Sequence, residues 1–255
     1  MIPRIATILA VIGAVIGVAC VDMSAPKGPA SISALQLPSP SVVIGDVMRD
    51  STGAPAKLSV IAYDANGARL TDVSPQFFVT DTGAVATVDL TGTVTGTKAG
   101  TVHVVGQVGT LQTPAATIFV TVAPKLIARA STKVDTLFAP LSADTIHRGT
   151  AAAGVTVSGD TGVGAAGFIV KYALVYGPPT NPTSKTPAVF LADDQGNPST
   201  VDTTDASGHA SRSVVVITGL LGGKVDSAVV TAQTSYKGAL VSPSPIRIVF
   251  PIVIK

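Results

Sequence analysis

The chain has 255 residues and a formal net charge of +2, with charged residues at 13% and its cations scattered, which excludes a nucleic-acid surface built on a basic patch. Hydrophobic residues make up 46% of the chain, too many for disorder at so low a net charge. Every acidic residue is Asp, and the lack of Glu beside abundant Val and Thr favours strands over helices in a chain long enough for two domains.

The N-terminus is basic at Arg4, and residues 5–18 (IATILAVIGAVIGV) form an uncharged apolar run. This run is shorter than the roughly 20 residues needed to span a bilayer core, so it reads as a secretory signal and is set aside from the fold. The segment Gly17-Val18-Ala19-Cys20 resembles a bacterial lipobox, with Gly17 where an aliphatic residue is usual. The resemblance implies a lipoprotein signal peptide over residues 1–19 and acylation of Cys20, the one cysteine of the chain. A single acyl chain anchors marginally, whereas the two or three of a lipoprotein (palmitate-type chains) hold durably. Residues 20–33, polar and containing Pro and Gly, then form a tether.

From Leu35 onward, strands alternate with turn signals at the spacing of a β-sandwich. The expected strands of the first module cover residues 57–63, 76–80, 85–89, 93–95, 101–107 and 116–122. The Asp64-Ala65-Asn66-Gly67 and Asp81-Thr82-Gly83 segments supply turns. The runs Val43-Ile44-Gly45-Asp46, Asp64-Ala65-Asn66-Gly67, Val85-Ala86-Thr87-Val88-Asp89-Leu90-Thr91-Gly92-Thr93-Val94-Thr95-Gly96 and Ala99-Gly100-Thr101 resemble the group 2 bacterial Ig-like domain. That resemblance implies an Ig-like sandwich over residues 34–123. Phe77 or Phe78 would take the core place of the family's Trp.

Ala123-Pro124-Lys125 is a short junction, after which residues 126–255 are again β-rich. Strands are expected at residues 154–158, 168–176, 212–217, 227–233 and 246–254, and Pro251 in the last suggests an edge strand, because Pro cannot donate to a ladder. The segments 162–170, 203–210 and 229–232 resemble the invasin-type, group 1, bacterial Ig-like domain and imply a second sandwich. A Pro-rich insertion at residues 177–200, with an extra strand near 188–192, is the least family-like part. The fold expected is therefore all-β, two tandem immunoglobulin-like β-sandwiches after an N-terminal signal segment.

Sites of chemistry are offered and declined. Gly162-Val163-Gly164-Ala165-Ala166-Gly167 matches G-x-G-x-x-G, but a strand follows where the dinucleotide fingerprint needs a helix. Asp193-Asp194-Gln195-Gly196-Asn197 lacks the alternating ligands and terminal Glu of a calcium loop. His103, His147 and His209 share no metal-ligand spacing. The sequence therefore assigns no catalytic, cofactor or metal residue, only lipidation at Cys20. The expectation is an exported protein, lipid-anchored to the bacterial cell envelope, acting as a non-enzymatic adhesion, interaction or spacer scaffold. Its partners would be the membrane, through the acyl chains, and a protein or glycan ligand at the surface, with no nucleic acid. Two alternatives stand beside it. One is a carbohydrate-binding module using Tyr172 and Tyr176, which an even spacing places on one strand face. The other is an accessory subunit of an envelope complex joined at the Pro251 edge.

Overall fold

The structure is a computed structural model that describes residues 28–133, 135–141, 147–222 and 226–255. The signal segment and Cys20 lie outside the described residues. The described chain is all-β, and its one helical turn is the short 3-10 segment Thr218–Leu220.

The first module holds β1 (Ser31–Ile32), β2 (Ser41–Val43), β3 (Ala62–Tyr63), β4 (Arg69–Leu70), β5 (Gln76–Val79), β6 (Ala86–Val88), β7 (Val94–Gly96), β8 (Gly100–Val108), β9 (Leu111–Gln112) and β10 (Ala116–Thr121). The second holds β11 (Leu126–Arg129), β12 (Leu137–Ala139), β13 (Arg148–Ser158), β14 (Ile169–Tyr176), β15 (Val189–Ala192), β16 (Val201–Thr203), β17 (His209–Ile217), β18 (Ser227–Tyr236), β19 (Ala239–Leu240) and β20 (Ile246–Ile254).

Both modules open in the same way. The entering strand pairs antiparallel in one sheet, β1 with β3 and β11 with β13. The next strand crosses to the other sheet and runs parallel to the module's last strand, β2 beside β10 and β12 beside β20. The principal sheets are β2-β10-β8-β5 in the first module, and β11-β13-β17-β15 facing β12-β20-β18-β14-β16 in the second. This arrangement is that of two immunoglobulin-like sandwiches in tandem.

Alternation drives the packing. In β8, Val102, Val104 and Val108 point inward while His103, Val105 and Gln107 point out. They meet Met48, Leu58, Phe77, Val94 and Ile118 in the first core. Each such aliphatic contributes about 1.5–3 kcal/mol when buried. Phe77 is 6% exposed and Phe78 43% exposed, so Phe77 takes the core aromatic place. The second core gathers Ile127, Leu137, Val155, Val170, Val214, Val230 and Phe250.

Five of the Asp residues hold places that Glu could not take. Asp50, Asp64, Asp89, Asp193 and Asp205 each open an Asp-x-x-Gly-x turn whose Gly has positive φ. In every one, Oδ1 of the Asp accepts the amides two and four residues on, at 2.8–3.1 Å. A side chain one methylene longer would not reach its own backbone in this way.

Several expectations are corrected. The strand expected over 57–63 enters the ladder only at Ala62–Tyr63, with an isolated bridge from Ser59 to Gln36. Strand pairing already begins at Ser31, inside the segment read as tether. The strand near 188–192 is integral to the sandwich, since Val189–Ala192 pairs with β17 and Val189 and Leu191 lie in the core.

The strand holding Pro251 is not an edge along its whole length. It lies between β18 and β12. Ile252 donates to the Asp226 carbonyl on the β18 side at 2.9 Å, so by alternation the Pro251 nitrogen faces the other edge. Pairing with β12 starts one residue later, at Ile252. The proline thus marks the point where an open edge becomes a covered one. Tyr172 and Tyr176 do not share a face either. A register shift between Leu174 and Tyr176 turns the strand, leaving Tyr172 3% exposed and Tyr176 48% exposed.

Candidate functional site

Two strongly perturbed groups, Asp46 and Tyr236, lie where the two modules meet. β10 ends at Thr121 and β11 starts at Leu126, so residues 122–125 are the whole connection. Val43 of β2 packs into the hydrophobic core of the second module, and Val122 and Ala123 lie against it. Ser41 Oγ donates to the Gly167 carbonyl at 3.0 Å, and the Ala166 amide donates to Thr121 Oγ1 at 3.0 Å.

Asp46 is the centre of the polar side of the junction. It follows β2, where Gly45 at positive φ turns the chain, and its side chain is 14% exposed. Arg49 grips it with two hydrogen bonds, Nε to Oδ2 and Nη2 to Oδ1, each 2.9 Å. From the second module, the Tyr236 hydroxyl donates to Oδ2 at 2.6 Å and Lys237 Nζ lies 3.0 Å from the same oxygen. The Arg49 guanidinium, helped by Tyr236 and Lys237, holds the Asp46 carboxyl well below the usual carboxylate range against the opposing effect of burial. Burial and then the bond to Asp46 push the Tyr236 phenol up. The Tyr236 ring packs edge-on against Phe168 at 6.0 Å, and the Lys237 ammonium sits over its face at 5.3 Å.

Steric fit closes the same joint. Tyr236, Lys237 and Gly238 form the tip of the β18–β19 hairpin, with Lys237 and Gly238 at positive φ. A Cβ on Gly53, in the Asp50 turn, would meet the Gly238 nitrogen at 2.2 Å.

The G-x-G-x-x-G match has a structural meaning here. Gly162 sits at φ +78 in a tight turn. A Cβ on Gly164 would meet the Ser207 carbonyl oxygen at 2.0 Å, and one on Gly167 would meet Ser41 Cβ at 2.6 Å. These glycines let one turn approach the Asp205 turn and the other module at once.

Other residues singled out in the sequence lie elsewhere. His103 Nδ1 is 3.2 Å from both Asp81 carboxylate oxygens on the first module. His209 closes the Asp205 turn through its amide, and His147 lies at the opposite end of β13 from His209's partner Thr156. Asp193 Oδ1 is occupied by the Gln195 and Asn197 amides. Sequence reading missed Asp46, Arg49, Tyr236 and Lys237 as a group. No local signal joins them, because the second pair is far along the chain from the first.

Beside the Asp46 cluster that locks the junction, a cleft of about 130 Å³ opens between the modules. Ile169, Lys171, Gln233, Ser235 and Leu240 of the second module face Pro38, Ser39 and Ser51 of the first across it.

Among solved structures, the chain is similar to domains 4 and 5 of the S-layer protein SbsC at 16% identity, over 89% of this chain and 99% of that one, with a TM-score of 0.31. It is similar to the Yersinia pseudotuberculosis adhesin InvE at 18% identity, over 86% of this chain and 58% of that one, with a TM-score of 0.31. The D00-D0 domain of intimin matches at 14% identity, over 88% of this chain and 100% of that one, with a TM-score of 0.28. No protein-family model and no curated protein matches the chain.

Proposed function

We propose that this chain is a non-enzymatic envelope scaffold whose two Ig-like modules act as one rigid unit. The observation that carries the reading is the junction, where Asp46 of one module is held by Tyr236 and Lys237 of the other. Modules joined by a flexible linker and a small polar contact move independently by default. Here the connection is short, an apolar side chain crosses into the neighbouring core, and glycines permit backbone contact. A unit of this kind transmits position, which is what a spacer or an adhesive stalk needs.

The anchor in this reading is Cys20, acylated after signal cleavage and holding the protein to the bacterial cell envelope. The lipobox-like segment supports it, as does the polar stretch that separates Cys20 from the first strand. Intact-mass measurement of the mature N-terminal peptide from membrane fractions, beside a Cys20→Ser variant, tests the anchor. Acyl mass on Cys20, with release of the variant from the membrane, is the expected result. An unmodified or removed Cys20 overturns it. Small-angle scattering of the wild-type chain tests the rigid unit, which predicts one narrow distribution of inter-module distances.

A further inference from the structure

The cleft beside the Asp46 cluster gathers polar side chains that no other described residue engages. Lys171 and Gln233 are cross-strand neighbours on the outer face of the second module's sheet. Val170 and Tyr172, flanking Lys171, point into the core, so the Lys171 side chain is directed outward. Ser51 and Ser235 line the same cleft from the two modules. Ile169 and Leu240, 38% and 55% exposed, give it an aliphatic floor beside Pro38.

The charges are distributed unevenly. Arg49 and Lys237 both turn toward Asp46. The carboxylate that lines the cleft, Asp50, turns its Oδ1 onto the amides of Thr52 and Ala54 and the Thr52 hydroxyl. Among the described residues lining the cleft, this leaves Lys171 as the cation without a carboxylate partner. Pockets at domain interfaces with an apolar floor and a few convergent polar groups are the usual form of a small-ligand site.

We propose that the junction cleft binds a single carboxylate-bearing sugar residue of the uronic acid type. Its carboxylate would face the Lys171 ammonium, and its hydroxyls would meet the Gln233 amide and the Ser51 and Ser235 hydroxyls. The aliphatic floor suits the C–H face of a pyranose. A volume of about 130 Å³ is that of roughly four waters at liquid density, room to seat one sugar ring in an open cleft and too little for an oligosaccharide. The site rests on the locked junction, since both modules line it.

The test is a titration of the full isotope-labelled chain with D-glucuronate, D-glucose and acetate, followed by amide chemical shifts. Glucuronate should move the Lys171, Gln233, Ser51 and Ser235 signals and bind roughly tenfold or more tightly than glucose, the scale of one charge-assisted contact. Lys171→Met should abolish that preference, and Lys171→Arg should retain it. Equal binding of glucose, an unaffected Lys171→Met variant, or no localised shifts would each overturn the proposal. Acetate binding as tightly as glucuronate would reduce the site to a simple anion contact and also overturn it. Scattering on the same samples separates this failure from that of the rigid unit. Lys171→Met leaves the inter-module distances unchanged, whereas a loose junction broadens them in the wild type.

Discussion

The Tyr236 hydroxyl donates to Asp46 Oδ2 at 2.6 Å, joining two residues 190 positions apart and two separate cores. The bond is charge-assisted and shielded, because Asp46 is 14% exposed on its side chain. Tyr236→Phe removes the donor while keeping the ring against Phe168 and should weaken the junction by about 1.5 kcal/mol. Asp46→Asn removes the charge that Arg49 and Lys237 share and should weaken it by about 1–3 kcal/mol. Both variants should fold, broaden the inter-module distance distribution in small-angle scattering and split a single calorimetric transition into two. A single transition in Asp46→Asn would show that the Val43 contact and the Ser41–Gly167 and Ala166–Thr121 hydrogen bonds couple the modules without the charged cluster.

Glycine substitutions should separate junction fit from module stability. Gly167→Ala places a Cβ at 2.6 Å from Ser41 Cβ with φ at +75, so it wedges the modules apart and strains its own backbone. Gly164→Ala drives a Cβ against the Ser207 carbonyl within the second module. The first should broaden the scattering profile with a modest fall in midpoint. The second should lower the shared melting midpoint and leave the inter-module distances unchanged.

Much of the fold was legible because alternation and turn chemistry are local. The run at residues 246–254 was read to the residue, and the Asp-Ala-Asn-Gly and Asp-Ala-Ser-Gly turns stand where their residues predict. The shortened ladder at Ala62–Tyr63 was not legible, because pairing depends on a partner strand. The bulge that exposes Tyr176 inserts one residue into an otherwise regular pattern, and nothing in the residues themselves marks it. Asp46 was visible only as part of a family-like run, since its partners are supplied by a hairpin in the other module.

The Asp-x-x-Gly turns should be sensitive to side-chain length more than to charge. Asp89→Asn keeps an oxygen that can accept the Thr91 and Thr93 amides, and Asp205→Asn does the same for Ser207 and His209. The Glu variants keep the charge and move the oxygen out of reach. Denaturant midpoints should fall in the order wild type, Asn, Glu, Ala at both positions. A Glu variant as stable as wild type would show that the longer side chain also reaches the turn amides.

Residues 177–200 should prove indispensable to the second module. Leu191 is 4% exposed within the core, and its strand pairs along β17 from Val189 to Ala192. Leu191→Ala should destabilise the module by about 2–4 kcal/mol. Replacing residues 177–200 with a short Gly-Ser loop should replace the single shared transition by a smaller one from the first module alone. Retention of the full wild-type transition would mean that the strand is dispensable decoration.

Stability should form a plateau bounded by acid and alkali, with the two limits set by different groups. Arg49 holds Asp46 low, the turn hydroxyls of Thr52 and Ser207 lower Asp50 and Asp205, and the Thr93 and Asn197 amides lower Asp89 and Asp193. A carboxylate depressed in the folded state contributes stability above its unfolded value, about 3.9, and loses it as pH falls through the folded one. Stability should therefore decline only below about pH 4. Burial raises the phenols of Tyr172 and Tyr236, so their contribution is complete below the unfolded value near 10 and is lost as pH rises toward the folded one. Calorimetry across pH should show both edges. Asp46→Asn should shrink the acid edge, because it removes the most depressed carboxylate. Tyr236→Phe should shrink the alkaline one. An alkaline edge unchanged in Tyr236→Phe would assign that limit to the other raised phenols, Tyr172 and Tyr176.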